Sequence, residues 1–452
     1  MLKKNETVLI EITGITNEGN GVGRAEGIAV FVPMTAVGDV IECRIVKVAK
    51  SYCYGITEKL VTPSPYRCEP GCEVYSKCGG CAFRNFDYAE ELRIKQEMVE
   101  ASFERIGRLT LEYEPILGAE QTGRYRNKAQ YPVAELNGKV ICGFYSRRSH
   151  RVIEHRDCAL QPEIFAKILS DCLEFINNAG LTAYNELDGK GLIRHIYLRR
   201  GEHSHEIMLC FVVTSIKEAQ VLKPFADSMI SKYPDIKSVV LNENREKTNA
   251  ILGKRLVTLA GSDVITDTMC GNRIEISPLS FYQVNTVQAE RLYSIAAEYA
   301  GLNGSELLLD LYCGAGTIGL SMATRVGRII GAEIVPEAIE NARRNAEANG
   351  IKNAEFICGD ACKAARFLFE RGERPDVIIA DPARKGCTGD TLEYMAAMAP
   401  ERIVMISCNH ATAARDCAIL AELGYKPEKC RAVDLFPRST HVECVVLMSR
   451  NK

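Results

Sequence analysis

No stretch of the 452 residues approaches the roughly 20 consecutive apolar residues that a bilayer-spanning helix requires, so membrane insertion is not expected. The opening residues, Met1-Leu2-Lys3-Lys4-Asn5-Glu6-Thr7, carry no apolar signal run and pass directly into an alternating strand pattern, so a cytoplasmic protein is expected. Neither sign of charge dominates. A net charge of -2 and a pI near 6.4 give no global mark of a nucleic-acid binder, and any such affinity must come from local patches. Internal repeats and low-complexity tracts are also missing, which sets aside solenoid and disordered architectures.

What remains is globular: 46 % hydrophobic and 25 % charged residues, in a chain long enough for roughly three domains. The 19 cysteines are an odd number, and in a reducing compartment they are expected to be packed, catalytic or metal-bound rather than paired. Residues 1 to about 60 read as short strands, Val8–Ile12, Ile28–Val32 and Val40–Val46, with Gly19, Gly21 and Gly23 as turns. Such a pattern fits an oligonucleotide-binding-like barrel, used either for RNA or for protein contacts. A proline linker, Thr62-Pro63-Ser64-Pro65, ends it. A cysteine cluster follows, then an amphipathic helix over Tyr88–Ile106 and a mixed α+β stretch with a strand at Glu206–Val213 and a helix over 163–179. From about residue 285, strands and helices alternate, which predicts a doubly wound parallel sheet. The expected fold is therefore multidomain: a barrel over 1–62, a central α+β region over 63–275, and a C-terminal α/β Rossmann-like domain over 276–452.

Leu307-Leu308-Leu309-Asp310-Leu311-Tyr312-Cys313-Gly314-Ala315-Gly316 is an apolar strand turning through glycines into a helix, a turn that brings a ligand close to backbone. The glycines alone suit a dinucleotide equally well. Glu333, at the end of the next strand, offers a carboxylate to a ribose. Asp310 suits the cationic end of S-adenosylmethionine better than a pyrophosphate. Asp360, Asp381 and Cys408 close three further strands, so five polar side chains lie along one sheet edge, where open parallel sheets bind ligands. Any single Asp among them could equally be a helix cap.

Cys408, before Asn409 and His410, sits at a strand end where backbone N–H groups could lower its thiol pKa; the alternative is one more packed cysteine. Glu443 opens an apolar strand. Were it buried, its raised pKa would suit it to proton abstraction; were it solvent-facing, it would do nothing.

The motifs Ser280-Phe281-Tyr282-Gln283-Val284-Asn285, Asp310-Leu311-Tyr312-Cys313-Gly314, Asp381-Pro382-Ala383-Arg384, Ser407-Cys408-Asn409 and Asp434-Leu435-Phe436-Pro437 with His441-Val442-Glu443 resemble those of the RNA 5-methyluridine methyltransferase family. The resemblance is greatest to the branch acting on large-subunit (23S) ribosomal RNA, and it extends over nearly the whole chain. It implies that Cys408 is the nucleophile and Glu443 the base. It further implies that Gln283, Tyr312, Glu333 and Asp381 bind S-adenosylmethionine, alongside Asp310, Gly314 and Asp360, and that the N-terminal barrel is an RNA-binding TRAM domain. Ala383 and His410 stand where the family usually has prolines, departures that touch loop shape and no reacting group.

Cys68, Cys72, Cys78 and Cys81 are too densely spaced for independent packing and predict a metal site, with four-thiolate zinc one solution. The family pattern instead uses Cys72, Cys78 and Cys81 with the distant Cys158 as ligands of a [4Fe-4S] cluster, leaving Cys68 out.

Between Arg124 and Arg156, eight Lys or Arg (124, 126, 128, 139, 147, 148, 151, 156) face two acids (Glu135, Glu154), with Tyr125, Tyr131, Phe144 and Tyr145 interleaved. Such a segment can grip phosphates and stack on unpaired bases, or it can be a solvated face. The expected substrate is a uridine flipped from single-stranded or loop RNA. Ribosomal RNA is favoured over transfer RNA, and the expected enzyme is a monomer. The rival readings are a non-catalytic RNA-binding protein that kept the cofactor fold and a dinucleotide-dependent iron-sulfur oxidoreductase.

Overall fold

The computed structural model of the chain describes residues 2–451. Strands β1 (Thr7–Ile15), β2 (Asn20–Ala25), β3 (Ile28–Pro33), β4 (Val40–Val48) and β5 (Tyr52–Thr62) close into a barrel. Alternate residues point inward, so Ile10, Ile12, Val30, Val32, Ile41 and Ile45 form its core. Gly21 and Gly23 differ from expectation: they lie within β2 and are not turns. A Cβ on Gly21 would stand 2.0 Å from the Thr35 hydroxyl, and one on Gly23 would stand 2.7 Å from the Glu11 carbonyl. These glycines let the barrel wall close.

Helix α1 (Tyr88–Ser102) starts where the Asp87 side chain accepts from Glu90 N at 2.8 Å, and it passes into a π-helical turn over Phe103–Gly107, ended by Arg108 at φ 53°. The expected helix to Ile106 is thus a helix plus a wider turn. Strand β6 (Glu112–Leu117) follows. The central sheet is built from β7 (Lys128–Leu136), β8 (Lys139–Tyr145), β9 (Val152–Glu154), β10 (Ile193–Arg200), β11 (Ile207–Val213), β12 (Ile236–Glu243) and β13 (Arg255–Gly261), in the order β13-β12-β11-β10-β7-β8-β9. Helices α2 (Glu163–Asn178) and α3 (Lys223–Lys232) bury Phe165, Ile168, Phe225 and Met229 against it.

A hairpin of β14 (Ile265–Met269) and β15 (Asn272–Ile276) leads to α4 (Thr286–Ala300) and then to alternating strands and helices: β16 (Leu307–Leu311), α5 (Thr317–Ser321), β17 (Arg328–Glu333), α6 (Pro336–Ala348), β18 (Ala354–Cys358), α7 (Ala361–Glu370), β19 (Val377–Ala380), α8 (Gly389–Ala397), β20 (Arg402–Ser407), α9 (His410–Glu422), β21 (Tyr425–Val433) and β22 (Glu443–Arg450). The sheet order is β18-β17-β16-β19-β20-β22-β21-β6, with the first five strands parallel and β22 antiparallel to β20. The strand order reverses beside β16, which opens a crevice at the carboxyl ends of β16 and β19. The last strand of this sheet, β6, comes from before the central sheet and pairs in parallel with β21. No helix among the described residues is long and apolar enough to cross a membrane.

A Gly21→Val substitution should lower barrel stability by about 1–3 kcal/mol through overpacking against Thr35, read as a lower denaturant midpoint at unchanged slope. An unaltered midpoint would contradict the close approach described.

Candidate active site

The sheet edge is built from strand termini. β16 carries Asp310, which is buried, with Oδ2 accepting from Gly319 N at 2.8 Å and Oδ1 lacking any partner. Burial pushes this carboxyl up to about 7, partly offset by the Gly319 bond, and the nearby Asp381 and Glu333 raise it further. Tyr312 follows at φ 66°, and Gly314 and Gly316 at 55° and 80°, so the turn exposes its backbone toward the crevice. Glu333 ends β17, its two oxygens taking Gly314 N at 3.3 Å and Val335 N at 2.9 Å. Gln283 precedes α4, and its backbone carbonyl accepts from Asn127 Nδ2 at 2.8 Å. Asp381 follows β19, and burial raises its carboxyl to about 7. Asp360 behaves as a helix cap: it is exposed and accepts from Cys362 N at 3.1 Å at the start of α7.

The ends of β20 and β22 carry Cys408 and Glu443, the two residues expected to react. Ser407 stands opposite Cys444 in the antiparallel ladder, and Cys408, one residue past the end of β20, lies near Glu443, the first residue of β22. Glu443 is 5 % exposed. Burial, with Asp381 adding to it, pushes its carboxyl up to about 8 against the lowering effect of Arg384. Asn409 caps α9, accepting from Ala411 N at 3.1 Å and donating to the Arg384 carbonyl at 2.9 Å, which fixes the turn after the cysteine. His410 is buried, with Nδ1 2.6 Å from the Ser102 hydroxyl.

The expected lowering of the Cys408 thiol is not found. Burial, followed by the negative Glu443 and Asp381, pushes it up to about 11, and Arg384 and a backbone bond only partly compensate. Backbone dipoles at a strand end are outweighed first by burial and then by two neighbouring carboxyl groups. Arg384 is the residue that sequence reasoning left without a role, although it stood in a quoted motif. It is the cation acting on both Cys408 and Glu443, and it lies 3.3 Å from both ring nitrogens of His441. Burial and the cations Arg384, Arg126 and Lys95 lower His441 to about 4, so this ring is neutral.

Cys72, Cys78, Cys81 and Cys158 line one cavity of about 90 Å³. Burial raises the Cys158 thiol to about 11, with Cys81, Cys78 and Cys72 adding to the rise, so the distant fourth cysteine does meet the other three. Cys68 lies elsewhere, its thiol donating to the Phe86 carbonyl at 2.8 Å. The expected metal site is not supported by the side-chain geometry as it stands: no group of three or more His, Cys, Asp or Glu among the described residues is placed to hold a metal ion. The four cysteines share the lining of that cavity with Tyr75, Arg84, Phe144 and His155, among others.

The basic segment is only partly a free surface. Tyr125 and Tyr131 are buried, which corrects their expected use as stacking platforms; the Tyr125 hydroxyl donates to the Pro437 carbonyl at 2.9 Å. Arg124 is paired with Asp157, and Arg147 donates to the Cys81 carbonyl at 3.0 Å. Burial, with Arg199 and Arg126 nearby, lowers Lys128 to about 8.

The family model described as tRNA (Uracil-5-)-methyltransferase matches residues 272–451, and the TRAM domain model matches residues 2–57. A protein of Clostridium tetani described as an uncharacterized RNA methyltransferase is 41 % identical, covering 99 % of this chain and 97 % of its own. A counterpart from Halalkalibacterium halodurans is 40 % identical, covering 99 % and 98 %. The chain belongs to the S-adenosylmethionine-dependent RNA uracil-5-methyltransferase family. Among solved structures, the Pyrococcus abyssi tRNA (uracil-54, C5)-methyltransferase in complex with S-adenosyl-L-homocysteine superposes with a TM-score of 0.78 at 25 % identity, covering 98 % of this chain and 100 % of that one. In this methyltransferase Asp310, Asp381, Cys408 and Glu443 lie at one desolvated edge, with Arg384 acting on Cys408 and Glu443.

Since kcat/KM follows ionisations of the free enzyme, its acid limb should rise through about pH 8 and on toward about 11 as first Glu443 and then Cys408 lose their protons. Arg384→Met removes a charge that lowers both groups, so it should move that limb to higher pH. A pH–rate profile with an unmoved or acid-shifted limb would rule out this electrostatic role.

Proposed function

We propose that this protein methylates carbon 5 of a uridine in RNA through a covalent bond from Cys408, with Glu443 as the base. The observation that carries this reading is the end of the β20–β22 ladder, which brings Cys408 and Glu443 near each other and near Asp381, both raised first by burial and then by their acidic neighbours. The Cys408 thiolate adds to uracil carbon 6, and the electron pair moves to make carbon 5 nucleophilic. S-adenosylmethionine supplies the electrophilic methyl group and a cationic sulfonium. The Glu443 carboxylate then takes the carbon 5 proton, the 5,6 double bond re-forms, and Cys408 leaves as the thiolate. A positive charge brought to the edge lowers the pKa of thiol and carboxyl together, so the high resting values favour ionisation only once the donor is seated.

Asp310 with its unpartnered oxygen, the Gly314 turn, Glu333, Tyr312, Gln283 and Asp381 form the donor site in this reading. The unpartnered Asp310 oxygen suits a cationic amino group and offers nothing to a pyrophosphate, which disfavours the dinucleotide alternative. Cys72, Cys78, Cys81 and Cys158 would hold a [4Fe-4S] cluster. A void lined by four cysteines among other residues suits a group larger than a single zinc ion. Such a cluster would brace the loop that Arg147 contacts. The reading places the enzyme in the cytoplasm as a monomer of three domains, 1–62, 63–275 and 276–452.

The substrate in this reading is a flipped uridine of 23S ribosomal RNA, in keeping with the branch that joins a TRAM barrel to a cysteine cluster. Transfer RNA is the second reading, favoured by the activity named for the P. abyssi structure. Nucleoside mass spectrometry of unmodified ribosomal and transfer RNA, incubated with S-adenosylmethionine and the protein, decides between them. New 5-methyluridine is expected in the ribosomal fraction and is expected to vanish with Cys408→Ala. Product in transfer RNA alone would select the second reading, and no product with either RNA would leave a non-catalytic RNA-binding role. Anaerobically purified protein should contain about four iron atoms per chain and absorb in the visible region. Stoichiometric zinc without iron would remove the cluster.

A further inference from the structure

The segment joining β21 to β22, Asp434–Val442, ends on the proposed base, and four of its consecutive carbonyls are held by four different parts of the chain. Leu435 O accepts from Asn285 Nδ2 at 3.1 Å, Phe436 O from Lys95 Nζ at 3.2 Å, and Pro437 O from the Tyr125 hydroxyl at 2.9 Å. Arg438 O accepts from Ala82 N at 3.0 Å and Phe83 N at 3.2 Å, just after the cysteine loop. Arg438 is itself at φ 70°, a backbone state that a non-glycine residue keeps only when its surroundings enforce it.

Lys95 lies at the centre of this arrangement. It is completely buried on α1, and besides Phe436 O it donates to Glu91 Oε1 at 2.8 Å and Asp434 Oδ1 at 2.7 Å, so all three ammonium hydrogens are used. Glu91 Oε1 also accepts from Arg438 N at 2.6 Å, and Asp434 Oδ2 accepts from the Tyr88 hydroxyl at 2.7 Å. A buried ion cluster of this kind is poor evidence for stability, since apolar residues of the same volume often do as well, but it can fix one register of the segments it joins. Here the segment fixed is the one that delivers Glu443. Nothing in the cluster touches Cys408 or the donor crevice directly.

We propose that Lys95 is a positioning residue for proton removal: by clamping Asp434–Arg438 to α1 it sets where Glu443 stands, and so acts on the last chemical step and not on thiolate addition or methyl transfer. The inference rests on the reading of Glu443 as base. It requires that loosening the clamp let the methylated Cys408–RNA adduct form normally but resolve slowly, because a base displaced by about 1 Å can lose about a hundredfold in rate.

The test uses the full-length protein with donor labelled in the methyl group, comparing wild type, Lys95→Met and Glu443→Gln. RNA affinity, single-turnover methyl transfer and the amount of denaturation-resistant methylated protein–RNA complex are each measured. For Lys95→Met, affinity and transfer should stay within about threefold of wild type while product release slows about a hundredfold and the complex accumulates, as it does for Glu443→Gln. Affinity, transfer and release falling together, or all unchanged, would overturn the proposal. Accumulation with Glu443→Gln but not with Lys95→Met overturns it while sparing the base assignment, and normal release by Glu443→Gln removes both. If Lys95→Met leaves Glu91 and Asp434 without their shared cation and does not fold, Tyr125→Phe deletes the bond to Pro437 O. It should slow release about fivefold, the weight of one hydrogen bond, with affinity unchanged. Unaltered release in that variant would overturn the clamp.

Discussion

Three carboxyl groups and a thiol are taken out of water along one edge of the C-terminal sheet, and much of the rest of the site follows from that desolvation. Asp310, Asp381 and Glu443 are each raised toward or beyond neutrality, chiefly by burial, and Cys408 is raised with them. A group of this kind avoids the cost of isolated buried anions by keeping protons, and it becomes fully charged only when a cation joins it. Arg384 alone is one charge beside several acids. A sulfonium donor would be the missing counter-charge, so donor binding and activation of the nucleophile become one event. The same low dielectric that resists ionisation makes every charge contact at the edge stronger once formed.

The architecture serves to hold that edge still. β20 and β22 are neighbours in the sheet, which holds the residue after β20, Cys408, close to the start of β22. The segment before Glu443 has no regular structure of its own, and its carbonyls are instead taken up by α1, the residue before α4, the basic segment and the cysteine loop. The barrel reaches the same place: a Cβ on Gly19 would stand 2.9 Å from the Thr440 methyl and 3.0 Å from Ala82. Strand β6, far earlier in the chain, completes the sheet. Pieces from the barrel, the central region and the C-terminal domain therefore bear on one short segment.

Much of this was legible in the chain. The parallel strands declare themselves as apolar runs, and the polar residue at each carboxyl end marks the edge, because period and end position survive without tertiary knowledge. Glycines deceived where packing decides: Gly21 and Gly23 look like turns, but they are strand residues shaped by Thr35 and Glu11. Tyr125 and Tyr131 looked like stacking surfaces because periodicity does not reveal which aromatic faces inward. The sign of the Cys408 shift depends first on burial and then on Glu443 and Asp381, distant in sequence and adjacent only in the fold, so the sequence does not reveal it. Lys95 and Glu91 stand in no motif, and Asp434 stands in one that assigns it no role. Their burial together could not be anticipated without the helix docked on the base segment.

The measurement that bears most directly on this account is peptide mapping of the complex formed with S-adenosylmethionine and an RNA carrying 5-fluorouridine, whose carbon 5 has no proton for the base to take. A stable adduct, mass-shifted by the RNA fragment plus one methyl group, should map to the peptide containing Cys408 and to no other of the chain's cysteines. Attachment at another residue, or transfer of methyl to RNA with no protein adduct at all, would contradict the covalent route.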